Sequence, residues 1–164
     1  MEGKEHFSLC DWGCGYGALL SYLKEKHVNC HYVGYDFSEE MIEQAKRAFP
    51  TETTCQWAAG PSFSQRVDFT IASGIFNVKL NSDSVRWENY IIEVLREINK
   101  LSTGGFSFNM LTSYSDEDRK RPDLYYASPA MYFDLCKREF SRHVALLHDY
   151  GLYEFTMIVR KGEL

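Results

Sequence analysis

The sequence predicts an α/β fold: a mostly parallel, seven-stranded sheet in three layers with helices, ending in an antiparallel hairpin. Three observations predict it. Strand-like apolar runs alternate with stretches of helical periodicity from Leu9 to Leu111. The first strand-like run passes into alternate glycines at 13, 15 and 17, and the second ends in an acid, Asp36. Finally, the last two strand-like runs are joined only by Tyr150-Gly-Leu152. A join that short requires an antiparallel pair, because a parallel crossover needs a dozen residues or more.

The elements follow in order. Leu9 opens strand one, and Ala18 to Lys26 forms a short amphipathic helix with Leu19, Leu20 and Leu23 on one face and Asn29 at its end. His31 to Asp36 is strand two. Ser38 caps the next helix, whose inward set is Met41, Ile42, Ala45 and Phe49, and Pro50 stops it. Thr53 to Ala58 is strand three, and so little chain separates it from strand four, Val67 to Ser73, that the third crossover has room for one turn only. Asp83 to Leu101 is the clearest helix, with Trp87, Ile91, Val94, Leu95 and Ile98 as its core stripe. Thr103-Gly-Gly105 ends it before strand five, Phe106 to Leu111. The long polar stretch from Leu111 to Ser128 reads as a functional connection. Pro129 then opens a helix over Ala130 to Phe140, and Val144 to Asp149 and Tyr153 to Arg160 are the hairpin strands.

Composition narrows the function classes. At 164 residues the chain suits one domain, 1–164, with a core large enough to need no metal or disulfide. The net charge is −5 and no basic run exceeds Arg119-Lys120-Arg121, so nucleic acid is not an expected partner. Five cysteines, at 10, 14, 30, 55 and 136, lie on or beside apolar elements without metal-ligand spacing, and read as reduced core thiols. That count and the lack of a secretory leader point to the cytoplasm, and no apolar run reaches membrane-spanning length.

Chemistry concentrates at the glycine turn. Glycines there allow positive φ and leave no Cβ between the backbone and a ligand, while a right-handed β-α-β unit brings Asp36 beside them, where its oxygens can accept both hydroxyls of a ribose. The pair reads as a nucleoside site. Asp11, Gly13, Gly15 and Gly17 resemble the Asp-x-Gly-x-Gly-x-Gly motif of the class I S-adenosylmethionine-dependent methyltransferases. A dinucleotide fingerprint would place two residues between its second and third glycines, where this chain has one. The resemblance implies a Rossmann-like sheet in the order 3-2-1-4-5-7-6. It implies S-adenosylmethionine as cofactor and S-adenosylhomocysteine as product. It also implies that the turn Gly13-Cys14-Gly15-Tyr16-Gly17 underlies the methionine part, with Asp11 holding the turn or the amino group through water, Asp36 on the ribose and Phe37 over the adenine. Where many relatives put a polar side chain on the adenine amino group, this chain has Ala58, Ala59 and Gly60, so backbone groups take that task. The carbonyl of Ala72 or Ser73 should accept from the cofactor's amino group.

Methyl transfer from a sulfonium needs alignment and exclusion of water more than a catalytic triad. The candidate bases are His143, His148, Asp149 and Tyr114, of which His148 lies at a strand end. Asn77 and Tyr114, with Tyr125-Tyr126, offer hydrogen bonds and ring faces to a polar acceptor. Ile71 to Leu80 and His148 to Lys161 resemble small bacterial methyltransferases of surface-sugar pathways, which makes a sugar or another small polar metabolite the preferred acceptor. Strand one begins within about ten residues of Met1, so the N-terminal helices that cover the cofactor in many relatives are expected to be missing. The Leu111 to Ser128 segment, a second copy or another partner would then cover the site, or the chain is the core of a longer protein. Two other readings remain: a module that holds the cofactor or its product without transfer, and a nicotinamide-dependent oxidoreductase.

Overall fold

The computed structural model describes residues 7–52 and 54–162. Its strands are β1 (Ser8–Trp12), β2 (His31–Asp36), β3 (Cys55–Ala59), β4 (Val67–Ala72), β5 (Ser102–Leu111), β6 (His143–Leu147) and β7 (Glu154–Arg160). The helices are α1 (Ala18–Glu25), α2 (Glu39–Ala48), α3 (Ser84–Leu101) and α4 (Pro129–Leu135). All seven strands form one sheet in the expected order, β3-β2-β1-β4-β5-β7-β6. β1 is parallel to β2 and β4, and β2 to β3, whereas β7 is antiparallel to both β5 and β6. The chain forms two compact units divided between Ile71 and Ala72.

In the first unit, Leu20 and Leu23 of α1 pack on Leu9 and Tyr32, with Leu19, Phe49, Trp57 and Phe69 around them. Full burial of side chains this size contributes about 1.5–3 kcal/mol each, which is what fixes so short a helix to the sheet. α1 ends before the expected Lys26 and Asn29, because His27 takes a positive φ of 54° and the Val28 N–H turns back to the Leu23 carbonyl at 2.9 Å. Ser38 caps α2 through a bond from the Met41 N–H at 3.3 Å. Ile42 and Ala45 are buried and Phe49 half-buried, but Met41 is exposed. One residue is about 100° of helical rotation, so a face centred on Ile42 and Ala45 turns Met41 outward.

β3 covers Cys55–Ala59 rather than 53–58; Ala59 pairs with Asp36 and so prolongs the ladder, while Thr53 lies outside the described residues. No helical turn fills residues 60–66. Phe63 instead packs on the rings of Trp12 and Tyr35 at 6.0 and 5.1 Å, and the Tyr35 hydroxyl donates to the Gly60 carbonyl at 2.8 Å. Three aromatic side chains thus replace a crossover helix. β4 stops at Ala72, one residue short of the expected Ser73.

In the second unit, Asp83 caps α3 by accepting from the Val85 and Arg86 N–H groups, and Ile91, Val94, Leu95 and Ile98 are buried as expected. Trp87 is half-buried and donates to the Phe76 carbonyl at 2.9 Å. The helix passes straight into β5 at Ser102, not at Phe106, because the Ser102 hydroxyl closes the last turn on the Ile98 carbonyl at 2.7 Å. Gly105 therefore lies inside the ladder opposite Arg160, with φ at 146° and β7 so close that an added Cβ would stand 2.3 Å from the Val159 carbonyl oxygen. The helix expected over 130–140 is α4 followed by a π-turn at Cys136–Phe140, which the Ser141 N–H closes on the Cys136 carbonyl at 3.0 Å. The hairpin strands are shorter than expected and residues 148–153 connect them. Tyr153 has left the β6 pairing because its carbonyl accepts from Thr112 N–H at 3.0 Å, and the Tyr150 hydroxyl meets Thr156 Oγ1 at 2.8 Å.

Candidate active site

The turn after β1 is held by β2. The Tyr35 carbonyl accepts from Gly13 N–H at 2.7 Å and Cys14 N–H at 3.0 Å, which folds the chain back over the strand end. Gly13, Gly15 and Gly17 take φ values of 79°, 54° and 90°. Their duties differ. A Cβ on Gly17 would lie 2.8 Å from the Phe49 ring and 2.9 Å from Trp57, so that glycine lets α1 start against the core. A Cβ on Gly15 would meet nothing within 4 Å, so its bare backbone faces open space, as a cradle for a ligand must.

Asp36 is fastened to this turn. Its Oδ2 accepts from Gly15 N–H and its Oδ1 from Ser38 N–H, both at 2.9 Å. Each oxygen keeps lone pairs for a further donor. Next to it, Phe37 is 75% exposed, so it is not a core phenylalanine. Ala59, its backbone opposite Asp36 in the ladder, is exposed as well.

Asp11 does something other than touch the turn. It is 4% exposed, and its Oδ2 accepts from the Tyr32 hydroxyl at 2.6 Å. Burial pushes its carboxyl up to about 6, with the Tyr32 bond opposing and the Asp36 charge adding to the rise. Asp11 thereby clamps β1 to β2, the strand whose carbonyl holds the turn. The Cys10 thiol is pushed up to about 12 by burial and the Asp11 charge, and Cys14 is raised by the same causes, so neither is a nucleophile. All five cysteines are free thiols, and no group of His, Cys, Asp and Glu fit to hold a metal occurs among the described residues.

In the second unit, Ala72 is buried and Ser73 exposed. Tyr114 is 74% exposed, its ring centroid 5.8 Å from that of the exposed His148. Asp149 is exposed and His143 half-buried at the start of β6. The structure thus brings Tyr114 and His148 together. Asn77 belongs to another group: its Oδ1 accepts from Leu111 N–H at 3.0 Å and its Nδ2 donates to Glu154 at 3.4 Å. Asn109 joins it, donating to the other Glu154 oxygen at 2.7 Å. Asn109 and Glu154 were missed in the sequence; the signal was the hairpin, since pairing β7 against β5 sets Glu154 opposite Leu111 at the carboxyl end of β5. The Tyr125-Tyr126 pair is corrected. Tyr125 is 7% exposed and donates to Glu88 of α3 at 2.8 Å, which ties its segment to that helix, and the Tyr126 hydroxyl accepts from Arg121 N–H at 2.9 Å, which braces the segment itself.

Against known proteins, residues 10–105 match the methyltransferase domain family. The chain belongs to that family. It is 50% identical over 162 residues to a Mycobacterium tuberculosis (strain ATCC 25618 / H37Rv) protein named "Putative methyltransferase Rv1506c", covering 99% of this chain and 98% of that one. Among solved structures, the CurJ carbon methyltransferase superposes with a TM-score of 0.68 at 15% identity over 99% of this chain; this chain spans 50% of that one. The N-terminal domain of EvdMO1, solved in the presence of S-adenosylhomocysteine and D-fucose, superposes with a TM-score of 0.69 at 12% identity, covering 94% of this chain and 76% of that one. Those identities carry the fold. The oxidoreductase reading falls with the family match. No helix of the described residues is long and apolar enough to cross a membrane.

Proposed function

We propose that this methyltransferase domain spans the whole chain and moves a methyl group from S-adenosylmethionine to a small polar acceptor, a sugar or related metabolite, releasing S-adenosylhomocysteine. The observation that carries the reading is the open cradle at Gly15 with the Asp36 carboxylate fixed against it. The cofactor supplies a methyl group already activated on a sulfonium. Toward it, the Gly13 to Gly17 backbone gives close approach without side chains, Asp36 accepts from the ribose hydroxyls, Phe37 offers a flat face to the adenine, and the backbone of Ala59 and Gly60 supplies polar contacts at the edge of that ring. Toward the acceptor, His148 beside Tyr114 is the proposed base, with Asn77 among the polar groups that orient it.

The sugar preference draws on the resemblance in sequence and on the D-fucose present with the EvdMO1 domain. Five free cysteines favour a reducing compartment, the cytoplasm. A second copy or another partner is the proposed cover for the cofactor. The test is release of S-adenosylhomocysteine from S-adenosylmethionine with a panel of monosaccharides and nucleotide sugars. Turnover with at least one sugar, lowered about 10²–10⁴-fold in His148→Ala, is expected. Turnover only with amines or thiols would overturn the sugar class, and an undiminished His148→Ala rate would remove the base.

A further inference from the structure

Resting on the methyltransferase reading, we propose that Glu154 is the acceptor-selecting residue, its carboxylate receiving hydrogen bonds from adjacent hydroxyls of a sugar. The two asparagines fix this carboxylate from opposite ends: Asn77 Nδ2 reaches Oε1 at 3.4 Å and Asn109 Nδ2 reaches Oε2 at 2.7 Å. Neither amide is free to turn over. Asn77 Oδ1 holds the Leu111 N–H at 3.0 Å and Asn109 Oδ1 holds the Gly74 N–H at 2.7 Å, so each must point its NH₂ group at Glu154. Each carboxylate oxygen thus accepts from one amide. Among the described residues Glu154 has no cationic partner, although it is half-buried. Neutral amides offset only part of the cost of desolvating a charge, which leaves a carboxylate in want of further donors.

The remaining valences say which donors suit it. A carboxylate has about four lone-pair positions, and the amides occupy two. Each Asn NH₂ keeps one N–H beyond the bond it makes. The group therefore presents acceptors and donors side by side, which matches a hydroxyl, able to donate and accept, better than an ammonium, which only donates. Its place agrees. Glu154 pairs with Leu111, the last residue of β5, and ligands in open α/β sheets lie beyond the carboxyl ends of strands. Gly74 leaves open space, with nothing within 4 Å of an added Cβ, and the Thr156 and Tyr150 hydroxyls, 2.8 Å apart, continue the polar line two residues along β7.

The experiment is an NMR titration of the protein, with and without saturating S-adenosylhomocysteine, by D-fucose, D-galactose, D-glucose and D-mannose, with ethanolamine as an ammonium probe. It follows the side-chain amide signals of Asn77 and Asn109. At least one sugar should shift both signals, and Glu154→Gln, of the same shape, should weaken that sugar at least tenfold. Its S-adenosylhomocysteine affinity should stay as in the unmodified protein, while its thermal midpoint falls slightly, because the new amide sets an NH₂ donor against one asparagine NH₂. Glu154→Asp should recover part of the affinity, since it keeps the charge. If no sugar moves these signals, if ethanolamine moves them instead, or if Glu154→Gln binds the sugar as before, the proposal is wrong. Failure of S-adenosylhomocysteine to bind, with sugar binding intact, would count against the cofactor reading and leave Glu154 in place.

Discussion

Replacing Asp11 by Asn should stabilise the protein at neutral pH and leave it nearly unchanged in acid. The Asp11 carboxyl rises from its ordinary 3.8 to about 6 because it is buried, so the fold keeps a proton that the unfolded chain gives up. Below about pH 4 both states are protonated and the group contributes nothing. Between about pH 4 and pH 6 the folded state binds more protons than the unfolded one, so stability falls as pH rises. A gap of about 2.2, at about 1.36 kcal/mol per pH decade, makes the loss about 3 kcal/mol by pH 7. Asn occupies the same volume and still accepts from the Tyr32 hydroxyl, so the variant escapes the loss without opening a cavity. Urea unfolding of both proteins from pH 4 to pH 8 reads the effect, and taking the difference cancels the carboxylates that pull the other way, such as Glu52 and Glu139 lowered by Lys24 and Arg96. The difference should grow by about 3 kcal/mol between pH 4 and pH 7. A difference that stays constant with pH would refute the reasoning.

Three further substitutions separate packing from binding. Gly17→Ala should cost about 2–4 kcal/mol in urea unfolding, because its Cβ meets Phe49 and Trp57 at a left-handed φ, whereas Gly15→Ala should cost only about 1–2 kcal/mol and yet abolish S-adenosylhomocysteine binding by calorimetry. Equal stability losses, or intact binding in Gly15→Ala, would contradict the division of duties. Phe37→Ala should change the unfolding free energy by less than about 0.5 kcal/mol but lower affinity for the adenosyl group by about 0.5–1.5 kcal/mol, as befits an exposed ring. Gly105→Ala should destabilise by more than about 3 kcal/mol, or fail to fold, because β7 would have to move away from a Cβ 2.3 Å from the Val159 carbonyl oxygen; a normal thermal midpoint would disprove that close approach.

What could be read in the sequence followed from periodicity and from chain length between elements. β2 falls where its apolar run lies, and the antiparallel ending follows from a join too short for anything else. Element ends were less legible because side-chain bonds decide them: Ser102 closing on Ile98 starts β5 early, and Tyr153 turning to Thr112 lengthens the hairpin connection. At the site, positive φ at Gly13, Gly15 and Gly17 was legible, since few other residues tolerate it. The different tasks of Gly15 and Gly17 were not, for they depend on where Phe49 and Trp57 sit. Tyr125 looked like a loop ring but is held inside by Glu88 across thirty-seven positions, a long-range bond no local pattern announces. Glu154 was hidden for the same reason, because its partners Asn77 and Asn109 come from a different stretch of chain.

The central claim, that the glycine turn and Asp36 form a nucleoside cradle for S-adenosylmethionine, is tested most directly by calorimetric titration with S-adenosylmethionine, S-adenosylhomocysteine and NADH. The protein should bind both adenosyl compounds and not NADH, and Asp36→Ala, which takes the acceptor from the ribose and the tie from Gly15, should lose them. Binding of NADH alone, or S-adenosylhomocysteine binding unchanged in Asp36→Ala, would contradict it.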